Sequence, residues 1–303
     1  MDFGALDAVI QRTRRARDLE WALRHAMMAL AYEEIAVPLL EADDGGGDWG
    51  AAYRVLDGQG AVLALRPDMT APVARLCALG DRGGPRPRRL CYIGNLFRRA
   101  ADGTPRELWQ AGAERIGPGP DGDVEVLSLA IHCLERAGIT RFRLAVGHVG
   151  YLQEFLREGG CRAATVEAAE AALRRRDFVT AGHVLQRHPQ VFDAVRWRGS
   201  VPEAQSRSLS ANGPQGRAFR ALLSACSAAG IAEHLVVEPG LVLPGRYYTG
   251  LVFEVSVAGS APPVGDGGRY DGLLRRWGAS EPAVGFALDC DGLLDAVPEV
   301  EDR

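Results

Sequence analysis

The sequence predicts an α+β fold: an antiparallel sheet flanked by helices, with a helical insertion. Three observations carry this. Residues 92–117 read as a long β-hairpin, in which Tyr92, Ile93, Leu96 and Phe97 supply strand formers before a loop over 100–105. Leu108 and Trp109 restart the strand beyond it. A second hairpin turn, Asp57-Gly58-Gln59-Gly60, joins the short runs 53–56 and 61–65. From 161 to about 232 the pattern is nearly all helical, and strands resume after it.

In chain order, Leu19, Leu23, Ala26, Met27 and Leu30 lie at helical spacing and predict an amphipathic helix over 18–32. Ile35, Val37, Leu39 and Leu40 predict a strand interrupted by Pro38. A proline cannot donate to a ladder, so this strand belongs at a sheet edge or at an interface with a partner chain. The glycine-rich tract 43–50 reads as a flexible loop. The second hairpin ends in Arg66, Asp68 and Thr70, and 71–79 continues as a short helix that Asp68 and Thr70 are suited to cap. Helices are expected over 123–137 and 151–158 around a strand at 142–146, and over 163–175, 178–186 and 215–229 in the helical block. Strands follow at 235–239 and within 243–259. GDGGRYDGLLRRWG reads as a glycine turn into a helix, and AVGFALDCDGLL as a strand into a terminal helix.

The central hairpin carries unusual polar residues. Arg98 closes its first strand, while Gln110, Gly112 and Glu114 share one face of the second because side chains alternate with period two. Such a face reads either as a solvated sheet surface or as the floor of a polar pocket, with Gly112 leaving room for a ligand.

Composition excludes several classes. A chain of 303 residues, 47% hydrophobic, with formal net charge −4, does not suit a protein devoted to gripping nucleic acid. The basic runs 12–17 and 82–89 read as solvated surface or as local contacts. Six cysteines without a CxxC pair point to reduced thiols in a cytoplasmic protein rather than to a zinc site or a disulfide framework. No metal site, membrane span or signal peptide is expected.

Six segments, in this order, resemble the catalytic domain of the histidyl-tRNA synthetase family, a class II aminoacyl-tRNA synthetase fold. YEEIAVPLLE resembles motif 1 with its dimer-forming proline, and LRPDMT follows it. FRR…ELWQAGAE resembles motif 2, YYTGLVFE and GGRYDGLL resemble the two histidine-specific signatures, and AVGFALDCDGLL resembles motif 3. The resemblance runs from about residue 18 to the end. It implies one catalytic-type domain over 1–303, an insertion at about 150–232 and no anticodon-binding domain.

Carried over residue by residue, the resemblance implies a histidine pocket. Asp68 and Thr70, with Gln110, match the groups that hold the α-amino group. Glu114 and either Tyr247 or Tyr248 match those that read the imidazole. Carboxylate and carbonyl acceptors suit an amine and a ring N–H. Asp68 is one methylene shorter than the glutamate usual there. The two tyrosines are equally compatible with strand packing, one ring on each sheet face.

The ATP half departs from the family. Arg98 matches the motif 2 arginine and remains a candidate phosphate contact. The motif 2 glutamate falls at Ala100, the motif 3 arginine at Gly292 and the histidine-specific arginine at Leu243, while Asp289 replaces a motif 3 glycine. A kept histidine pocket beside a lost phosphate clamp resembles the regulatory-subunit family of ATP phosphoribosyltransferase. That resemblance implies a non-catalytic protein without a cofactor, which activates a short-form catalytic subunit and conveys histidine feedback inhibition in histidine biosynthesis. It also implies self-dimerisation through motif 1 within a hetero-octamer, and no tRNA. Two alternatives stay open: a free-standing enzyme activating histidine or a related amino acid, and a histidine sensor with another partner.

Overall fold

Phe3–Ala29 forms one long helix, α1, whose buried Leu19, Leu23, Ala26 and Met27 make a single apolar stripe. The computed structural model describes residues 3–42, 52–80, 84, 86–99, 105–117, 119, 121–207, 211–245, 247–260 and 262–297. The loop expected over 43–50, and Ala100, lie outside them. The helix starts well before residue 18 because its first turns are held by charge instead of an apolar stripe. Arg12 reaches Asp291 at 3.0 Å and Asp295 at 2.8 Å, and Arg15 donates to the carbonyls of Leu294 and Val297. Part of the first basic run therefore grips the last helix of the chain.

Glu33–Glu34 (β1) and Leu40–Ala42 (β2) are short, and 35–39 between them is not strand. The strand expected through Pro38 is thus broken. Its carbonyls at Val37 and Leu39 are taken by Arg66, from the guanidinium and the backbone N–H respectively. β2 joins Arg54–Leu56 (β3) and Val62–Leu65 (β4) in a small sheet of order β2-β4-β3. Its turn is fixed by the Asp57 carboxylate, which accepts from the N–H groups of Gln59 and Ala61 at 2.8 Å. Thr70–Leu79 (α2) follows.

Arg88–Arg99 (β5) and Pro105–Ile116 (β6) make the long hairpin, in register from Arg88 opposite Ile116 to Arg99 opposite Pro105. Gly122–Arg136 (α3) and Phe142–His148 (β7) come next. The helical stretch contains Val149–Glu158 (α4), Ala163–Arg174 (α5), Phe178–Val184 (α6), Pro189–Val195 (α7), Val201–Ser206 (α8) and Pro214–Ala228 (α9). Proline opens α7, α8 and α9, where its missing N–H has no intrahelical partner to lose. Ser200 and Glu203 form a capping box at α8. Leu235–Val237 (β8), Leu251–Val257 (β9), Gly265–Arg269 (β10), Ala283–Asp289 (β11) and Cys290–Ala296 (α10) complete the chain.

Among the described residues the large sheet has eight strands in the order β1-β5-β6-β11-β10-β9-β7-β8. It is antiparallel except at its two ends, where β1 runs parallel to β5 and β7 parallel to β8. GDGGR, which reads as a turn in the sequence, is the strand β10, followed by a single 3₁₀ turn over Leu273–Trp277. Its glycines answer crowding rather than turning. A Cβ at Gly267 would stand 2.7 Å from the Phe286 Cβ and 2.8 Å from the Phe253 ring.

The two faces of this sheet differ. Cys91, Ala111, Ala113, Phe253 and Phe286 pack with α1, α3 and α10 in the main core. On the other face Tyr92, Leu96, Ile116 and Tyr270 pack with α2 and the 3₁₀ turn, which cover one part and leave the rest open. All six cysteines are buried and unpaired. Among the described residues no helix is long and apolar enough to cross a membrane.

Candidate functional site

Alternation along β6 sends Trp109, Ala111 and Ala113 to the helix-covered core and Gln110 and Glu114 to the open face. Glycines on neighbouring strands give that face its depth. Gly285, opposite Glu114 on β11, lies where any Cβ would strike the Glu114 carboxylate. A Cβ at Gly112 would lie 2.5 Å from the Tyr92 hydroxyl, so the space above Gly112 holds that ring. It is not the ligand space that the sequence reading assigned to it. Gly94 makes room for Arg66, and Gly268 for Tyr248, in the same way.

Glu114 is 1% exposed. Its Oε1 accepts from the Thr70 hydroxyl at 2.8 Å and the Tyr92 hydroxyl at 3.4 Å, and its Oε2 accepts from the Tyr270 hydroxyl. Burial pushes its pKa up to about 7, and Asp68 adds to the rise, while the three hydroxyl donors oppose it. Burial likewise raises Tyr92, Tyr247, Tyr248 and Tyr270, which stay protonated and available as donors. Asp68 accepts from the Ala71 N–H at 2.8 Å, so it does help start α2 as its position suggests. Thr70 instead points its hydroxyl to Glu114.

One pocket, open to solvent, with a cavity of about 90 Å³, is lined by Asp68, Thr70, Arg98, Gln110, Glu114, Tyr247 and Tyr248, together with Asp266 and Tyr270. The structure therefore brings every candidate binding residue and Arg98 to one place. Tyr247 and Tyr248 sit in the loop before β9, not in a strand. Their rings are 4.7 Å apart and both face the pocket, and Tyr247 meets Tyr270 edge-on at 6.0 Å. Tyr248 donates to Asp266 at 3.3 Å. Sequence reasoning missed Tyr270 and Asp266. Both lie in the GGRYDGLL segment or just before it, so the segment was noticed but its strand register was not.

The chain from residue 4 to 293 matches the family model described as histidyl-tRNA synthetase. It is 36% identical to the ATP phosphoribosyltransferase regulatory subunit of Symbiobacterium thermophilum, over 97% of this chain and 78% of that protein. Against the same subunit of Moorella thermoacetica the identity is 35%, over 96% and 80%. The chain belongs to the ATP phosphoribosyltransferase regulatory subunit family. Its fold is the class II synthetase-like one of that family. The crystal structure of an ATP phosphoribosyltransferase regulatory subunit/histidyl-tRNA synthetase from Bacillus halodurans superposes with TM-score 0.84 at 30% identity, over 95% of this chain and 80% of that one. The histidyl-tRNA synthetase of Nostoc shares the fold with TM-score 0.77 at 18% identity, over 94% and 72%.

Against this family background, two positions where the synthetase resemblance leads one to expect other residues, an arginine at 243 and a glycine at 289, have duties of their own. Leu243 is 2% exposed and packs with Leu241 and Val252 in a small apolar cluster. Asp289, opposite Gln110 on the sheet, caps α10 by accepting from the N–H groups of Asp291 and Gly292 at 3.1 and 3.3 Å. Arg98 lines the pocket with no ion pair among the described residues.

Proposed function

We propose that the chain is a non-catalytic regulatory subunit that binds histidine in this pocket. It activates a short-form ATP phosphoribosyltransferase catalytic subunit and conveys histidine inhibition to it. The observation that carries the reading is the buried Glu114 carboxylate, ringed by hydroxyl donors in a pocket that also holds Asp68, Gln110 and the Arg98 guanidinium. In this reading the ligand's ammonium meets Asp68, Thr70 and Gln110, and its imidazole meets Glu114 and Tyr247 or Tyr248. Arg98 is the group on the pocket wall that suits the ligand's carboxylate. The burial of Leu243 and the capping duty of Asp289 support the non-catalytic side of the proposal, since neither residue offers positive charge to a phosphate.

Assembly follows the same proposal. Leu39 and Leu40, 43% and 45% exposed beside Pro38, form the centre of a self-dimer face, and dimers combine with catalytic subunits into a hetero-octamer. Titration calorimetry with L-histidine, alone and with the catalytic subunit, tests the reading. Binding near one histidine per chain, with partner activity falling as histidine is added, is the expected result. Absence of heat in both titrations would remove histidine as the ligand.

A further inference from the structure

Arg66 stands where the loop leading to Asp68 and Thr70 crosses the segment 35–39, and it is 8% exposed. It makes four bonds to two different pieces of chain. Toward 35–39, its Nη1 donates to the Val37 carbonyl and its backbone N–H donates to the Leu39 carbonyl at 3.0 Å. Toward β5, its Nε donates to the Asn95 carbonyl at 2.9 Å, and its own carbonyl accepts from the Phe97 N–H at 3.0 Å. Gly94 permits this, since a Cβ there would stand 2.8 Å from Arg66 Nη2 and 3.0 Å from Met69 Cε.

A second tie runs parallel to the first. Glu41 on β2 is 5% exposed and pairs with Arg75 of α2 at 2.8 Å. The helix that starts at Thr70 is thus fastened to the strand just past Leu40. Asp68 and Thr70 sit between these two ties, two and four residues beyond Arg66. A buried guanidinium whose acceptors are carbonyls has no second charge to pair with in those bonds, so its geometry is set by where those carbonyls lie. If the rim at Asp68 and Thr70 shifts to grip a ligand, the Val37 and Leu39 carbonyls cannot remain indifferent to it.

We propose that Arg66 is the positioning residue that couples the ligand pocket to the apolar segment 35–40, so that occupancy at Asp68 and Thr70 is felt at Leu39 and Leu40. This rests on the reading of the pocket as a histidine site, and it names the route by which that site reaches a subunit surface. Coupling between two such sites is reciprocal. A partner pressed on Leu39 and Leu40 therefore alters histidine affinity by the same factor by which histidine alters the partner's.

The test measures histidine affinity by calorimetry and amide hydrogen exchange over 33–41, with α5 as a distant reference segment. In the unmodified protein, saturating histidine slows exchange over 33–41 by about fivefold or more, the lower range of ordinary coupling, and leaves α5 unchanged. In Arg66→Met, histidine still binds, within about tenfold of the original affinity. Exchange over 33–41 then becomes the same with and without it. Arg66→Lys, which keeps one charged donor, restores part of the effect. Should Arg66→Met fail to fold, Gly94→Ala carries the test, because its Cβ displaces the guanidinium without removing it. Histidine binding with no protection over 33–41 in the unmodified protein, or with protection that survives in Arg66→Met (or in Gly94→Ala where that one carries the test), overturns the coupling alone. No binding to the unmodified protein overturns the histidine reading and the coupling with it.

Discussion

The two sides of the pocket are built on different rules. Around Glu114 each polar group serves another: Thr70, Tyr92 and Tyr270 donate to one carboxylate, and glycines on β6, β10 and β11 are shaped to the side chains above them. Removing one member leaves a buried acceptor short of a donor, a loss of about 1–3 kcal/mol. On the side that the synthetase resemblance assigns to ATP, the described residues form no such ring around one group. The Leu243 side chain packs in an apolar cluster while its carbonyl accepts from Arg174, and Asp289 serves its own helix. A wall whose parts satisfy one another resists piecemeal change, while a row of separate cations does not. On the proposed reading, that contrast accounts for a ligand-binding half that is kept beside a phosphate-binding half that is not.

The largest expected effect tests the empty side. The protein should show no histidine-dependent ATP–pyrophosphate exchange. One preorganised transition-state donor is worth about a hundredfold to a thousandfold in rate, so two missing arginines lower it by about ten-thousandfold or more. Leu243→Arg should not repair this, because it drives an unpaired guanidinium into the Leu241 and Val252 cluster. Exchange above background in the unmodified protein would erase the distinction between the two sides.

The next effect asks whether the interlocked side is backed by a second copy. Leu40→Glu places a charge in the proposed dimer face, and an unpaired buried charge costs about 3–5 kcal/mol. The dimer dissociation constant should rise by about a hundredfold or more. Light scattering across a dilution series reads this directly. A monomeric unmodified protein would instead take the face out of the assembly.

Within the interlock, Glu114→Gln replaces a charged acceptor with a neutral amide. Histidine affinity should fall by about tenfold to a hundredfold, the worth of a hydrogen bond to a charged group. Stability should change in the opposite sense at high pH. The folded-state pKa of Glu114 is raised to about 7, above its ordinary value. Its stabilising contribution is therefore fully present below that ordinary value and is lost as pH rises through about 7, a loss on the order of 3 kcal/mol. Melting curves from about pH 5 to about pH 8 should show the unmodified protein losing ground to the variant. If inhibition of the partner by histidine and the melting difference both stay unchanged, Glu114 neither reads the ligand nor carries the buried charge.

Much of this was legible in the sequence, for reasons that individual residues make plain. The hairpin of β5 and β6, the turn at Asp57 and the helices of the central stretch announce themselves through strand formers, turn residues and apolar spacing. β10 did not, because glycine argues against a strand unless the neighbours that crowd Gly267 are already known. The early turns of α1 lacked an apolar stripe, since Arg12 and Arg15 fasten them to a helix more than 270 residues away. The parallel pairings of β1 and β8 join segments distant in sequence, which no local pattern reports. At the site, alternation put Gln110 and Glu114 on one face of a strand, and the family resemblance decided for a pocket floor over a solvated surface. Tyr270 was hidden, because a buried tyrosine looks like core until its hydroxyl is seen on Glu114.

The smallest effect lies at Asp68, where the two demands on one carboxylate separate. Its Oδ1 holds the Ala71 N–H at 2.8 Å, and its position on the pocket rim also offers it to a ligand's ammonium. Asp68→Glu adds the methylene that the synthetase resemblance leads one to expect at this place. The longer side chain reaches further into the pocket but leaves the bond to Ala71, whose loss costs about 1 kcal/mol as a missing helix cap does. Histidine affinity should therefore rise by no more than about fivefold, while the melting temperature falls by about 2–4 °C. A rise in affinity with no thermal change would mean that Asp68 serves the ligand alone. A thermal change with no effect on affinity would assign it to α2 alone, leaving Thr70 and Gln110 to hold the amine.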